Sequence, residues 1–405
     1  MGKLRIYFKP IWYNIMHHKA YAGFCVFGTM LTFVFITILL QVTNVIVGNT
    51  PPATKADRIV RVNAGIWDER REVFFERKDV EAMMNNVVGC ETYTCSHNQN
   101  GNILVNNKLL DNGVLFVDAK YWDVFQYKFI KGRPWNKEES RQPYVVINES
   151  FAMSYFATDD VIGKEIEFQE ITYKVLGVVE DVSMFAYGGN SPVLAPESFS
   201  DFLMGRRIVN IHVLFPEGMS VEEMKKRLTN GFNIWAEMAS WGSKAQVRYF
   251  STIQELLAED YGGDLLLVGV GGILFILLCI PLLNIVLLNM ANTSVQIAEI
   301  GVKRALGANR FVAFMMILSE NFVLVIAGLV GGIILVYPVL QCMGLLYLDE
   351  DAFGALAVMP QLDWMIILFV VVPLSILFSL IAGGIPAYLN VKRPIVEMLK
   401  GGSSC

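Results

Sequence analysis

The chain has 405 residues, of which 54% are hydrophobic and 18% charged, and its formal net charge is −5. This mildly acidic balance argues against a nucleic-acid-binding domain, which needs a basic face. Several uncharged stretches exceed the roughly 20 apolar residues that cross a hydrocarbon core. We therefore expect an α-helical membrane protein that crosses the bilayer more than once.

The first predicted transmembrane helix is 22–47, and it follows a cytoplasmic segment, 1–21, that contains four basic residues. An unpaired backbone polar group in lipid costs several kcal/mol, so such a span must be helical. A cleaved signal peptide is the alternative. Its apolar region would be only about 7–15 residues long and a small-residue cleavage site would follow, which the sequence does not show.

Residues 48–264 are predicted to form a large extracytoplasmic α+β domain, and this region holds 31 acidic and 23 basic residues. Two β-α units, 58–90 and 206–250, flank a region rich in strands, about 91–205. This order predicts two lobes, an interrupted β-α lobe and an inserted strand-rich lobe.

Short β-branched or aromatic runs between turn residues predict the strands of this domain. They are 58–62, 113–118, 144–148, 164–168, 172–179, 208–215 and 246–250. Helices are predicted at 77–88 and 220–238. The second begins with Ser220 and Glu223, a capping box in which each side chain satisfies an otherwise unpaired backbone N–H.

Cys90 and Cys95 both lie in this domain, with four residues between them. In an oxidising compartment this spacing permits a local disulfide without requiring one. Both the bridged and the free form stay open.

A second capping box, Thr252 with Glu255, predicts a helix that starts just before the second span. If this helix continues into the span, it forms a rigid rod between the outer domain and the bilayer. A break at Gly262 and Gly263, leaving a short surface helix, is the alternative.

Three further transmembrane helices are predicted, at 265–292, 311–336 and 364–389. The loop 293–310 and the tail 390–405 each contain three basic residues, whereas 337–363 contains none and has four acidic ones. Because Lys and Arg are retained on the cytoplasmic side, we expect both termini inside and 337–363 outside.

Glu320 is the one acidic residue within a predicted span, and a carboxylate there is a functional hypothesis because its burial is costly. We favour a structural role, with Asn284 and Asn289 as hydrogen-bond partners, over proton or substrate handling. Gly328 and Gly332 have the GxxxG spacing that lets helix backbones approach closely. We expect them to serve helix packing.

Motifs for chemistry on this chain are missing from the sequence. No P-loop string is present to cradle nucleotide phosphates, and no Gly-x-Ser-x-Gly nucleophile motif. The four histidines lack metal-ligand spacing. The sequence therefore predicts no catalytic residue, no bound cofactor and no metal site.

The segment EIGVKRALGANR, 299–310, is a basic loop between two apolar runs. It resembles the cytoplasmic loop of the MacB/FtsX-like (type VII) ABC transporter permeases. Two outer segments are similar to that family as well: VDAKYWDVFQYKFIKGRPW at 117–135 and IGKEIEFQEITYKVLGVVEDV at 162–182. With the order of the spans, the resemblance covers nearly the whole chain.

The resemblance implies that this loop contacts a separate cytoplasmic ATPase, which would bind ATP and magnesium. The implied coupling residues are Glu299, Gly301, Lys303, Arg304, Ala305, Gly307 and Arg310. The sequence departs from the family pattern at 296–298, where Gln-Ile-Ala replaces the usual basic residues.

The resemblance further implies a four-span permease without a fused ATPase, located in the inner membrane and paired with a second, identical or different permease. ATP-driven motion would pass to the MacB-like outer domain, with efflux as the first expectation and a periplasmic adaptor and outer-membrane channel as further partners. Lipoprotein extraction and regulation of a cell-wall hydrolase are alternatives within the family. An ATPase-independent membrane sensor or receptor is the alternative from another class.

Overall fold

The structure is a computed structural model. It describes residues 16, 19–68, 71–73, 77–183, 185–188, 191–200, 210–239, 245–260, 262, 265, 268–279, 301–302, 304–346, 362–392 and 394–395.

The chain forms two compact units. We call them the helical unit, Met1–Gln41, Leu267–Leu340 and Leu362–Cys405, and the sheet unit, Val42–Leu266 and Gln341–Gln361.

Ten α-helices are described, together with two 3₁₀ turns, Glu139–Arg141 and Glu197–Phe199, and one π-helical turn, Ile367–Val371. The α-helices are α1 Lys19–Val47, α2 Arg77–Met84, α3 Tyr121–Val124, α4 Glu149–Phe156, α5 Val221–Met238, α6 Ile253–Asp260, α7 Val268–Cys279, α8 Arg310–Leu346, α9 Trp364–Ile366 and α10 Val372–Lys392.

Eleven strands form one sheet. They are β1 Ile59–Asp68, β2 Arg71–Val73, β3 Thr92–Val105, β4 Lys108–Val117, β5 Phe129–Gly132, β6 Tyr144–Asn148, β7 Glu165–Phe168, β8 Ile171–Val179, β9 Val193–Pro196, β10 Asn210–Leu214 and β11 Ala245–Thr252.

Three described helical segments are long and apolar enough to cross a membrane: Ala22–Val47, Arg310–Cys342 and Trp364–Leu389. The shorter helix α7 is apolar too, and 280–300, which follow it, lie outside the described residues. Together with the α+β sheet unit, these helices confirm the predicted fold class.

The main path of the sheet runs β11-β1-β10-β3-β4-β9-β6-β8-β5, with β2 against β1 and β7 against β3 and β8. One core contains Val60, Met83 and Leu228, where α2 and α5 pack on the first lobe. A second contains Phe116 and Phe151, in the strand-rich lobe. A third core contains residues of both predicted lobes, such as Ile59 and Leu214 with Val146 and Leu194, so the two lobes share one sheet and one of their cores.

Strand β3 joins the lobes. Its first residues, Thr92–Ser96, pair with β10, whereas Ile103 and Leu104 pair with β7. The sequence did not predict this strand, because its polar run HNQNGN lacks the alternation of a half-buried strand. The predicted strands at 144–148, 164–168 and 172–179 are confirmed as β6, β7 and β8.

Both predicted helix starts are confirmed. Ser220 Oγ accepts from Glu223 N at 3.3 Å, which is one half of the predicted box, while the Glu223 carboxylate accepts from Arg227 Nε at 2.8 Å. In the second box, Thr252 Oγ1 accepts from Glu255 N at 3.1 Å and Glu255 Oε2 accepts from Thr252 N at 2.9 Å.

The continuous rod predicted after Thr252 is wrong. Helix α6 ends at Asp260, and Gly262 has φ +133°, which no right-handed helix contains. Glycine adopts such a conformation without the steric cost that a Cβ would bring, so Gly262 supplies the break. α6 is therefore a short helix of the sheet unit, where Ile253 and Leu257 are buried in the third core, together with Ile46 from the last turn of α1.

Within the helical unit, the GxxxG glycines of α8 lie against α1. A Cβ at Gly328 would sit 1.9 Å from Thr29 Oγ1 and 3.1 Å from Val26 O, and one at Gly332 would sit 3.1 Å from Met30 O. Only a residue without a side chain allows this approach.

Replacement of Gly328 should weaken this packing. The Gly328→Ala variant should lose about 1–3 kcal/mol, the usual cost of an overpacked core, because Thr29 already hydrogen-bonds to its own helix. Thermal unfolding of the purified protein in detergent measures the loss. Gly384→Ala is the matched control, since nothing lies within 4 Å of a Cβ there; equal melting of the two variants would contradict the packing role.

Candidate functional site

The described part of the loop 299–310, which we name the coupling loop after the role that the family resemblance implies, is a short helical stretch closed by a glycine. The N–H of Leu306 donates to Val302 O at 3.0 Å, and that of Gly307 donates to Arg304 O at 3.1 Å. Gly307 has φ +100°, a left-handed conformation that commonly ends helices at glycine.

Arg304 anchors this stretch to the last helix. Its side chain is 8% exposed, and Nη1 donates to Val391 O at 3.0 Å, near the end of α10. Beside it, Ala313 of α8 and Ala387 of α10 belong to one small buried core. The sequence suggested that Arg304 offers its charge to a partner, but the structure buries it, because the last carbonyls of a helix lack intrahelical donors and accept well from a cation.

The opposite face of the stretch is apolar and exposed. Val302 is 49% and Leu306 83% exposed, and Ala305 between them is exposed as well. Residues four apart lie on one side of a helix. The coupling residues predicted from the sequence included Ala305 but neither Val302 nor Leu306; the signal for this pair was the i, i+4 spacing of apolar residues within a polar loop.

The remaining predicted site residues divide into two groups. Gly301 is buried in the loop and Arg310 is exposed at the first residue of α8. Glu299, Lys303, Asn284 and Asn289 lie outside the described residues.

Glu320 is half-buried in α8 and has an interaction partner. Its neighbour Asn321 is 3% exposed, donates to Ile317 O at 3.0 Å and packs against Gly383 of α10. The polar pair Glu320–Asn321 thus occupies a helix-packing region, and a structural role for Glu320 stays our prediction.

Cys90 and Cys95 are free in the structure, so the disulfide that the spacing permits is not formed. Cys95 is buried within β3, and the Sγ of Cys90 lies 3.9 Å from Val87 O. Burial raises the pKa of both thiols, which keeps them protonated and unreactive.

In the sheet unit, Arg77 at the start of α2 forms a charged cluster with Asp118 and Glu197. Asp118 also accepts from Thr94 Oγ1 at 2.6 Å and from Cys95 N at 3.2 Å. Burial lowers the pKa of Arg77, but the neighbouring negative groups, Glu197 first and Asp118 as well, together outweigh it and the net shift is upward. The sequence gave no signal for this cluster, because its members lie up to 120 residues apart.

No group of three His, Cys, Asp or Glu side chains that could hold a metal ion occurs within the described ranges.

Apolar helices of spanning length beside a large α+β unit define a multi-span membrane protein. A family model described as "MacB-like periplasmic core domain" matches residues 24–230, which is just over half of the chain. A second, described as "FtsX-like permease C-terminal", matches 271–395. The chain belongs to the MacB/FtsX-like family of ABC transporter permeases.

The curated relatives agree with this family. The chain is 26% identical over 253 residues to the macrolide export ATP-binding/permease protein MacB of Aggregatibacter actinomycetemcomitans, covering 60% of this chain and 38% of MacB. It is 27% identical over 246 residues to the uncharacterized ABC transporter permease YvrN of Bacillus subtilis, covering 57% of this chain and 58% of YvrN. The matches thus span about two fifths of that MacB and under two thirds of YvrN.

Two solved structures are similar to part of the chain. The periplasmic region of MacB from Actinobacillus actinomycetemcomitans has 18% identity and a TM-score of 0.40, covering 51% of this chain and 94% of that one. The extracellular domain of the transporter YknZ from Gram-positive bacteria has 15% identity and a TM-score of 0.39, covering 47% and 100%.

The charged cluster should stabilise the sheet unit. Arg77→Leu leaves Glu197 buried without its cation and should cost about 1–3 kcal/mol, less than a fully buried pair because Arg77 is 41% exposed. Urea-induced unfolding of the purified chain measures it.

Adding Glu197→Leu to Arg77→Leu should restore part of the loss, since one of the two carboxylates that paired with Arg77 is then gone. Lys128→Gln breaks an exposed pair with Glu180 and serves as the control, with an expected cost below about 1 kcal/mol. Strictly additive losses in the double variant would show that the cluster is not coupled.

Proposed function

We propose that this chain is the permease subunit of an ABC transporter in which a separate cytoplasmic ATPase binds the coupling loop. ATP-driven motion then passes through the helices to the sheet unit outside the membrane. The observation that carries the proposal is the loop geometry: a buried arginine on one face and exposed Val302 and Leu306 on the other.

An apolar side chain exposed as far as Leu306 gains free energy when a partner covers it, about 25 cal/mol for each Å² of apolar surface removed from water. A contact that transmits force must also be attached firmly to the rest of the protein, and Arg304 supplies that attachment. Because Arg304 ties the loop to α10 and a core shared with α8, a push on the loop reaches both helices directly.

The proposed orientation of the chain in the membrane rests on the distribution of its basic residues. Basic residues concentrate in 1–21, 293–310 and 390–405, which supports cytoplasmic termini and a cytoplasmic coupling loop. Family members work with ATPases in ABC systems. Export as the output is supported by the name of the MacB relatives, macrolide export proteins; a second permease and a periplasmic adaptor complete the proposed assembly.

We infer that motion passes from the membrane helices to the sheet unit through α1. The sequence had suggested the helix after Thr252 for this role. α1 is one helix from Lys19 to Val47, and its last turn places Ile46 in the core of the sheet unit with Ile253 and Leu257. By contrast, helical geometry breaks at Gly262 on the other connection.

The first test replaces the exposed leucine. Leu306→Asp should leave folding intact and reduce permease-stimulated ATP hydrolysis at least about tenfold, because a carboxylate cannot be buried unpaired in an apolar contact. ATPase rates of the co-purified complex in lipid nanodiscs measure the effect.

The matched control is Leu109→Asp, the same change at an exposed leucine of the sheet unit. Stimulation that is unchanged in Leu306→Asp, with the ATPase still bound, would remove this face of the loop from the contact and with it the proposed coupling.

The second test separates the anchor from the contact. Arg304→Ala should keep the exposed apolar face but free the loop from Val391, so the ATPase should still bind while stimulation falls. Arg304→Lys retains a donor and should recover part of it. Loss of ATPase binding in the Ala variant, measured by pull-down, would instead make Arg304 a direct contact.

A further inference from the structure

A cavity of about 390 Å³ lies within the sheet unit, close to the point where the chain leaves its first membrane span. The span is Ala22–Val47, and the lining of the cavity begins at Asn49. Two residues of extended chain reach at most about 7 Å, and the headgroup layer on each side of the hydrocarbon is about 5–8 Å thick. This wall of the cavity is therefore within reach of the lipid headgroups.

The wall next to the span is an ordered turn of the backbone. The N–H of Asp57 donates to Asn49 Oδ1 at 3.2 Å, and that of Arg58 donates to Lys55 O at 3.0 Å. The Arg58 side chain is 16% exposed, and its Nη1 donates to Glu91 Oε1 at 2.9 Å. The charge of Arg58 is thus already matched by a carboxylate of the protein.

Three other charged side chains of the lining have no ionic partner. They are Lys55, Asp57 and Glu217, and none of them forms an ion pair of 4.0 Å or less within the part of the chain that the structure describes. Opposite charges thus face one cavity without meeting each other. A ligand that carries both signs can bridge them, whereas an anion would meet one free cation and two carboxylates.

The lining also distinguishes between kinds of ammonium group. A primary ammonium donates three hydrogen bonds, which carboxylates accept, whereas a quaternary ammonium has no donor and is bound by aromatic cages. The described residues of the lining include no aromatic side chain; its apolar members are Met219, Val221 and Met224. The cavity therefore suits a primary ammonium.

We propose that this cavity binds the headgroup of a zwitterionic phospholipid of the phosphoethanolamine class. The ammonium of the headgroup donates to Asp57 and Glu217, and its phosphate accepts from Lys55. The volume is within the range of about 300–1,000 Å³ that is usual for small-molecule sites. A lipid bound here attaches this loop of the sheet unit to the bilayer surface.

The proposed orientation of the chain assigns this lipid to the outer leaflet. Binding itself requires neither the ATPase nor the coupling loop. Failure of the lipid experiment would therefore leave the coupling proposal intact, and a failed coupling test would leave lipid binding intact.

The experiment is native mass spectrometry of the full chain, purified in detergent and incubated separately with three lipids. They are dioleoyl phosphatidylethanolamine, dioleoyl phosphatidylcholine and dioleoyl phosphatidylglycerol, which share their acyl chains, so that only the headgroup differs. The ethanolamine lipid should bind at least about threefold more tightly than either of the others, because it alone offers both a phosphate and ammonium donors.

Variants of the wall test each half of the headgroup. The pair Asp57→Asn/Glu217→Gln should bring the ethanolamine lipid down to the level of the choline lipid, because the carboxylates are then gone. Lys55→Gln should weaken both lipids alike, since both carry the phosphate. Asp160→Asn/Glu165→Gln removes two exposed carboxylates of the strand-rich lobe and should leave the preference unchanged. Thermal unfolding checks that each variant is folded.

Three results would overturn the proposal. Equal binding of the ethanolamine and choline lipids, or tighter binding of the glycerol lipid, would reject the ligand class. A preference that survives Asp57→Asn/Glu217→Gln, or binding that Lys55→Gln leaves unchanged, would place the lipid elsewhere. Displacement of the ethanolamine lipid by an equimolar amount of glycerophosphoethanolamine, the soluble headgroup, would make the ligand a soluble molecule and not a membrane lipid.

Discussion

In hydrocarbon, a backbone N–H or C=O without a partner in the chain costs several kcal/mol, and the helical unit is organised around that constraint. Buried threonines return their hydroxyls to their own helix, as Thr29 does to Cys25 O at 2.8 Å and Thr37 to Phe33 O at 2.7 Å. The π-helical turn Ile367–Val371 ends just before Pro373. Proline has no N–H and crowds the carbonyl four residues earlier, so the α-helical hydrogen bonds give way to the wider π-helical pattern there.

In the sheet unit, some buried polar side chains pair across strands and lobes. Gln99 of β3 donates to Gln169 at 2.7 Å, and His212 Nε2 lies 2.6 Å from the Tyr187 hydroxyl. Burial, with the charge of Arg61 nearby, lowers the pKa of His212 to about 3, so the ring is neutral inside the core.

Hydropathy and β-branched composition were sufficient to predict many of the helices and strands, because burial in lipid or in a core favours particular residue types along each segment. β3 escaped prediction since its polar residues are buried by partners distant in sequence: His97 stacks on Phe116 with centroids 5.3 Å apart. Helix α4, Glu149–Phe156, escaped too; it is short, and its cap by Asn148 is a single hydrogen bond.

The candidate site was harder to predict for the same reason. A basic residue in a loop is ordinarily solvated, whereas the side chain of Arg304 turns inward and donates to the carbonyl of Val391, 87 residues away. The cluster of Arg77 with Asp118 and Glu197 depends likewise on the sheet bringing β4 and β9 side by side. The residues of such sites come together only when the fold is formed, so no local sequence pattern predicts them.

The last membrane helix is held at both of its ends. Before its first residue, Gln41 of α1 both donates to Asp363 O and accepts from Asp363 N, each at 3.1 Å, and near its other end Val391 receives Arg304. These hydrogen bonds at two points oppose sliding of the helix along its neighbours more than they oppose bending or tilting. The least regular segment of this helix is the π-helical turn Ile367–Val371. A displacement of the helix end near Arg304 would therefore be accommodated by bending in that turn.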